Sequence, residues 1–244
     1  MQRLLEKIQE LRVLDLYNIK YCDLKNKVES IFLPALGSTT QSVLIKRGEI
    51  MYRVHTFKPE VMNHLYAPPT EKVIGFQRCN YPGYPMWYVS TCLERSLREC
   101  RTKAGDIVFV SKWEVKEDFL ISDISGDLTS NYSNEVAIVY GFFADKFIQR
   151  VESTFSYEYK MTAAISDVLL NSWKRTPPSW GIRFPSVQSV ARGENLALLP
   201  ESISMFDFKC VEAIEVVDET RSVYSYKIIE SLNNLSDDKF LWMK

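Results

Sequence analysis

The sequence predicts an α+β fold: a helical N-terminal extension over residues 1–45, then one compact domain over residues 46–244. Three observations predict it. Apolar side chains recur at helical spacing through the first 35 or so residues. From Ile50 the period changes to two. Beyond that, strand-like and helix-like stretches alternate without the regular βαβ order of a doubly wound sheet.

In the extension, Leu4, Ile8 and Leu11 recur with charges between them, and a second helix is expected from Asp23 as N-cap. Leu24, Val28, Ile31 and Phe32 form its inward face, and Pro34 and Gly37 close it. Ile50, Tyr52 and Val54 alternate with Met51, Arg53 and His55, which reads as a strand after a turn at Arg47-Gly48. Residues 58–83 carry Pro59, Pro68, Pro69, Gly75, Pro82 and Gly83, the composition of a long loop. A short strand is expected over Met86 to Val89, then a helix opened by a Thr91-x-x-Glu94 capping box, with Leu93, Leu97 and Cys100 along one side. Ile107 to Val115 and Phe119 to Ile124 read as strands, and Glu135 to Val151 and Tyr159 to Trp173 as helices. Ile182 to Phe184, Asn195 to Leu199, Phe208 to Val217 and Tyr224 to Ile229 complete the strand candidates.

Composition narrows the function classes. Apolar residues at 46 % with charged residues at 25 % describe a folded chain rather than a disordered one. Lys plus Arg number 30 against 31 for Asp plus Glu, which argues against a nucleic-acid partner. The 5 cysteines (Cys22, Cys79, Cys92, Cys100, Cys210) are odd in number and scattered, so no disulfide framework is expected. With no CxxC, and with His55 and His64 too far apart to share a helix face, no metal site is expected either. Reduced thiols fit a cytoplasmic location. Glu6, Lys7, Glu10 and Arg12 break the N-terminal apolar pattern, so it does not read as a signal peptide, and no stretch is apolar enough for a membrane partner. Glycine-rich GxGxxG and GxxxxGK[ST] motifs are absent.

Three separated segments stand out: Met51-Tyr52-Arg53-Val54, the run from Gly75 to Glu99, and Gly181-Ile182-Arg183-Phe184-Pro185-Ser186 with Gly193-Glu194-Asn195-Leu196-Ala197-Leu198. Taken singly each residue has a plain reading. Arg53 is a solvated strand residue, Glu99 a helix-surface charge, Ser186 a turn residue, Tyr88 core packing and Asn80 loop chemistry. Taken in order they resemble the RES family, named for an arginine, a glutamate and a serine. The sequence supplies Tyr52-Arg53, then Arg78-x-Asn80-x-x-Gly83-x-Pro85, then Tyr88 with Glu99 following eleven residues later, then Pro185-Ser186. The resemblance spans about residues 48–200.

The resemblance implies a compact fold akin to ADP-ribosylating toxins, with NAD⁺ as substrate rather than cofactor. It implies cleavage of the nicotinamide–ribose bond by a glycohydrolase or phosphorylase, in a toxin or defence effector. An antitoxin or inhibitory protein and a homodimer are the partners it implies. Glu99, Arg53 and Ser186 are then the catalytic candidates, and Arg78, Tyr88, Tyr52 and Asn80 the substrate-binding ones. The chemistry suits these residue types. Departure of nicotinamide develops positive charge on the ribose, which a carboxylate such as Glu99 stabilises. Guanidinium forks such as Arg53 and Arg78 match a diphosphate. A flat ring such as Tyr88 or Tyr52 matches nicotinamide, and Ser186 can hydrogen-bond a ribose or amide group. The alternatives are an ADP-ribosyltransferase acting on a protein and a catalytically inactive RES-fold interaction module.

Overall fold

The computed structural model describes residues 1–37, 41–125, 132–172, 178–185, 194–219, 224–233 and 239–242. In chain order the elements are α1 (Gln2–Arg12), α2 (Tyr21–Leu36), β1 (Ser42–Ile45), β2 (Ile50–His55), β3 (Trp87–Ser90), α3 (Leu93–Glu99), β4 (Ile107–Val115), β5 (Phe119–Asp123), α4 (Asn134–Phe147), α5 (Lys160–Asp167), β6 (Gly181–Phe184), β7 (Asn195–Leu198), β8 (Phe206–Glu219) and β9 (Tyr224–Leu232). This is an α+β chain. Residues 58–83 hold two short 3₁₀ turns, Met62–Leu65 and Thr70–Lys72, between irregular stretches. Among the described residues, no helix is long and apolar enough to cross a membrane.

The chain divides into two compact units that interleave in sequence. One comprises Met1–Val43, Pro69–Met86 and Leu120–Val187; the other comprises Leu44–Pro68, Trp87–Phe119 and Gln188–Lys244.

In the first unit the N-terminal helices share a core with the middle of the chain. Leu4, Ile8 and Leu11 of α1 and Leu24, Val28, Ile31 and Phe32 of α2 are all buried, as their helical spacing predicts. The Phe32 ring packs 5.5 Å from Phe142 and 4.9 Å from Phe143 of α4. Helix α2 starts two residues before Asp23, with Lys20 in the cap position and Asp23 in the first turn, where its charge suits the helix dipole. At its far end Pro34 lies inside the helix, which runs on to Leu36, and Gly37 alone closes it: Gly37 takes φ +55°, which favours glycine, and its N–H donates to the Leu33 carbonyl at 3.0 Å. Ser133 caps α4, its hydroxyl accepting from the Val136 N–H at 3.3 Å.

Helix α5 is shorter than its pattern suggests, because after Asp167 the backbone widens into a π-helical turn, Val168–Ser172. The junction has a physical reason. Asp167 is only 3 % exposed and accepts from Tyr21 Oη (3.2 Å) and Asn171 Nδ2 (2.9 Å), with Lys25 Nζ at 3.0 Å. A buried carboxylate needs such partners, and these fasten α2 to α5. Strands β5 and β6 run parallel with Asp123 opposite Arg183.

In the second unit six strands run antiparallel in the order β7-β3-β2-β4-β8-β9. Helix α3 covers one face, where Leu93 and Leu97 join Val54, Val108, Val110, Ile214, Val216 and Tyr224. Trp87 packs edge-on against Trp113 (5.3 Å) and Phe206 (5.0 Å). The Trp87 indole N–H is satisfied by the Leu65 carbonyl at 3.1 Å.

Both ends of α3 differ from a simple reading. The N-cap position is Cys92, without a side-chain cap bond, so the capping box at Thr91 is not formed. Thr91 Oγ1 instead accepts from the Glu194 N–H at 3.0 Å, because the strand-leading segment at 194 lies alongside and needs an acceptor. At the other end the Thr102 N–H donates to Leu97 O (3.2 Å) and the Arg101 N–H to Arg98 O (2.9 Å), the two bonds of a Schellman motif. That motif wants glycine at its left-handed position, yet Arg101 sits there at φ +54°. Arg101 is exposed, so Arg101→Gly removes strain without removing burial. It is expected to raise unfolding stability by about 0.5–1 kcal/mol, less any entropy gained by the unfolded chain. Urea titration measures this, and a destabilised Gly variant would show that the Arg101 side chain contributes more than the strain removes.

Candidate active site

Within the second unit, strand register places several of the sequence-selected residues. Tyr52 of β2 pairs with Ser90 of β3, and Ser90 pairs with Asn195 of β7. Register partners share a face, and so do residues two apart on a strand, so Tyr52, Ser90, Asn195 and Tyr88 lie on one side of the sheet. Tyr52 also packs against the α3 cluster, which identifies that side as the one the helix covers.

Glu99 is the last residue of α3 and is exposed. The Asn195 amide Nδ2 donates to its Oε1 at 2.7 Å. A carboxylate at a helix C-terminus faces the negative end of the dipole, an electrostatically poor place for it. Two neighbours offset this: the Asn195 amide, and Arg95 one turn back on the same helix face. Arg95 is buried at 6 % exposure. Burial pulls its guanidinium below the ordinary range, while the charges of Glu99 and Glu194 act in the opposite direction. Sequence reading passed over Arg95, although its spacing of four residues from Glu99 was a usable signal.

Arg53 follows Tyr52 directly and so points to the other side of β2, with Met51 and His55. Its register partner is Ser111, whose hydroxyl lies 3.2 Å from His55 Nε2 on that same side. Arg53 Nη1 donates to the Tyr66 carbonyl at 2.7 Å. Burial pulls the guanidinium down to about 10. His55 is held down to about 3 by burial first and by the Arg53 charge second, so it is a neutral core histidine. Tyr52 and Glu99 therefore share the α3 side of the sheet, whereas Arg53 leaves β2 on the other.

Arg78 and Asn80 belong to the first unit. Arg78 Nη1 donates to the Phe147 carbonyl and Nη2 to Gln149 O at 3.3 Å, with the guanidinium 5.3 Å over the Tyr159 ring. This cation closes the C-terminal end of α4, where carbonyls lack helical donors. Asn80 is 1 % exposed and forms a two-way backbone turn with Gln77, at 3.0 and 3.4 Å. Gly83 follows at φ +79° and donates to Val73 O at 2.8 Å. The Arg78-x-Asn80-x-x-Gly83 stretch thus builds a tight loop, lined by Tyr81 and Tyr84 stacked at 4.9 Å. Ser186 lies outside the described residues.

Burial pushes the Cys79 thiol up to about 12 and the Cys100 thiol up to about 11, which keeps both protonated and poorly nucleophilic. Among the described residues, no group of three or more His, Cys, Asp or Glu side chains could hold a metal ion.

The RES domain family model matches residues 50–220. The chain belongs to the RES-domain family. Its match runs from the first residue of β2 through Glu99 and Asn195 to the end of β8, so β2, β3, β4, β7, β8 and α3 lie inside the RES domain and β9 follows it. No curated protein matches the chain.

Proposed function

We propose that this RES-domain protein cleaves the bond between nicotinamide and ribose in NAD⁺. The observation that carries the reading is the Glu99 carboxylate, exposed to an incoming ligand and held at Oε1 by the buried Asn195 amide, on the sheet side that also bears Tyr52 and Tyr88. An acid fixed at the unfavourable end of a helix is costly for stability alone, and stabilising a cationic ribose is a use for it.

The chemistry balances without a further cofactor. The C–N bond to the pyridinium breaks, and its electron pair leaves with nicotinamide as a neutral base. Positive charge develops on the ribose ring beside Glu99. Water adds at the anomeric carbon and loses a proton, giving ADP-ribose; in a phosphorylase a phosphate oxygen adds instead. Tyr52 or Tyr88 offers a face for the nicotinamide ring. Arg53 leaves β2 on the other side of the sheet and holds the Tyr66 carbonyl, so the diphosphate is not assigned to it. Arg78 is committed to the carbonyls at the end of α4.

Purified protein incubated with NAD⁺ is expected to release free nicotinamide, and running the assay with and without phosphate separates the two acceptors. Absence of nicotinamide release under both conditions would overturn the proposal.

A further inference from the structure

We infer that Asn195 is a positioning residue whose amide sets the orientation of the Glu99 carboxylate; the inference rests on reading Glu99 as the carboxylate that acts on NAD⁺. Three features of the geometry point to it.

The first is that the amide is rigidly placed. Asn195 is 6 % exposed and sits at the start of β7, in register with Ser90. The residue before it is clamped three times to the segment leading into α3. Ser90 Oγ donates to Glu194 O (2.9 Å), the Thr91 N–H donates to the same carbonyl (3.2 Å), and the Glu194 N–H donates to Thr91 Oγ1 (3.0 Å). Thr91 is thereby drawn away from capping α3 and used to fix the β7 strand instead. Asparagine is short, so with its backbone held its amide has little room to wander.

The second is that the helix carrying Glu99 is pinned independently. Ser96 Oγ donates to the Tyr52 carbonyl at 3.1 Å, Cys100 Sγ lies 3.7 Å from the Val54 carbonyl, and the Schellman motif fixes the chain just past Glu99. Backbone position is therefore settled on both sides of the Asn195–Glu99 bond. What remains is the rotation of an exposed glutamate with three side-chain torsions, and the 2.7 Å hydrogen bond to Oε1 is one contact that restricts it.

The third is direction. A buried amide donating to one carboxylate oxygen sets which way the carboxylate plane faces. That orientation serves charge stabilisation on a sugar and does not require Asn195 to touch substrate.

The test uses the full chain, with nicotinamide release from NAD⁺ measured across pH for wild type, N195A, N195D and E99Q, and thermal melts to confirm folding. N195A is expected to lose kcat by about 10–100-fold, the scale of a misoriented catalytic group, with KM changed by less than about threefold. N195D is isosteric and carries the test if N195A fails to fold. With both carboxylates ionised near pH 8 it is expected to be at least as impaired as N195A. As pH is lowered and the introduced carboxyl takes up a proton, it again donates to Glu99, and activity relative to wild type recovers by about fivefold or more. A role in packing alone would not produce that recovery. Wild-type kcat in N195A, or an N195D profile parallel to wild type, with E99Q inactive, overturns the positioning role and leaves Glu99 in place. Wild-type turnover by E99Q removes the reading of Glu99 and the inference with it.

Discussion

Glu99→Gln is expected to reduce kcat for nicotinamide release by ~10²-fold or more while NAD⁺ affinity changes little. The amide keeps the size of the side chain and an oxygen that can still accept from Asn195 Nδ2, now 2.7 Å away. Only the charge is lost. In ground-state NAD⁺ the positive charge sits on the pyridinium ring, and as the bond breaks it moves onto the ribose. A carboxylate beside the ribose therefore interacts more strongly with the transition state than with the substrate, and removing it acts on kcat. Glu99 is exposed, so its loss has little consequence for folding, and a properly folded Gln variant is the expected material. Affinity measured by calorimetry, set beside steady-state nicotinamide release, separates the two quantities. Equal losses in affinity and turnover would assign Glu99 to substrate binding; near-wild-type turnover would remove it from the reaction.

How much of this was legible in the sequence depends on how local the determining interaction is. Strands β2 and β4 were legible from their residue types over six and nine residues, although burial of the adjacent pairs Val54 with His55 and Val110 with Ser111 shows that both faces are covered. The faces of α1 and α2 were legible because one-sided burial imposes a helical period. Strand β1, Ser42–Ile45, is not anticipated from the sequence. The capping box at Thr91 was a sound local inference that failed because Glu194, about a hundred positions away, competes for the same hydroxyl. Arg78 has the same character. Nothing near it reveals that the carbonyls of Phe147 and Gln149 lie within its reach, so a guanidinium that looked suited to a phosphate serves the end of a helix. The order Tyr52-Arg53, Tyr88, Glu99 identified the family, yet the strand geometry that sets Tyr52 and Arg53 on opposite sides of β2 followed only from their adjacency. Asn195 was visible as part of a conspicuous segment, but its partner was not, since the contact spans 96 positions. Ser186 lies outside the described residues, so its place in the site stays with the proposal.

Asp123→Ala is expected to cost about 3–5 kcal/mol of folding stability, because it leaves a guanidinium largely enclosed without its anion. Asp123 and Arg183 are opposite each other on the parallel pair β5 and β6. Arg183 Nε donates to Oδ1 at 3.0 Å and Nη2 to Oδ2 at 2.5 Å, a two-point fork. The Asp123 side chain is 3 % exposed and that of Arg183 17 %, so solvent screens the pair weakly. The Ser125 N–H (2.9 Å) and Gln41 Nε2 (3.2 Å) complete the carboxylate's shell. Burial alone pushes this carboxyl up, but the Arg183 and Ser125 hydrogen bonds and the Arg183 charge outweigh it and hold it below its ordinary value of 3.8. The sign of the pH dependence follows. A depressed folded-state value means the unfolded chain binds the proton more readily, so the stabilisation is fully present above the ordinary value and disappears as pH falls through the folded one. Wild type is thus expected to lose stability on acidification below about pH 4, and D123A to show a shallower slope over the same window. Urea unfolding at neutral and acidic pH measures both. The double variant D123A/R183M distinguishes the mechanism, since removing both charges is expected to recover much of the loss. If D123A alone costs less than about 1 kcal/mol, the pair behaves as a surface bridge and the enclosed fork is not what holds β5 to β6.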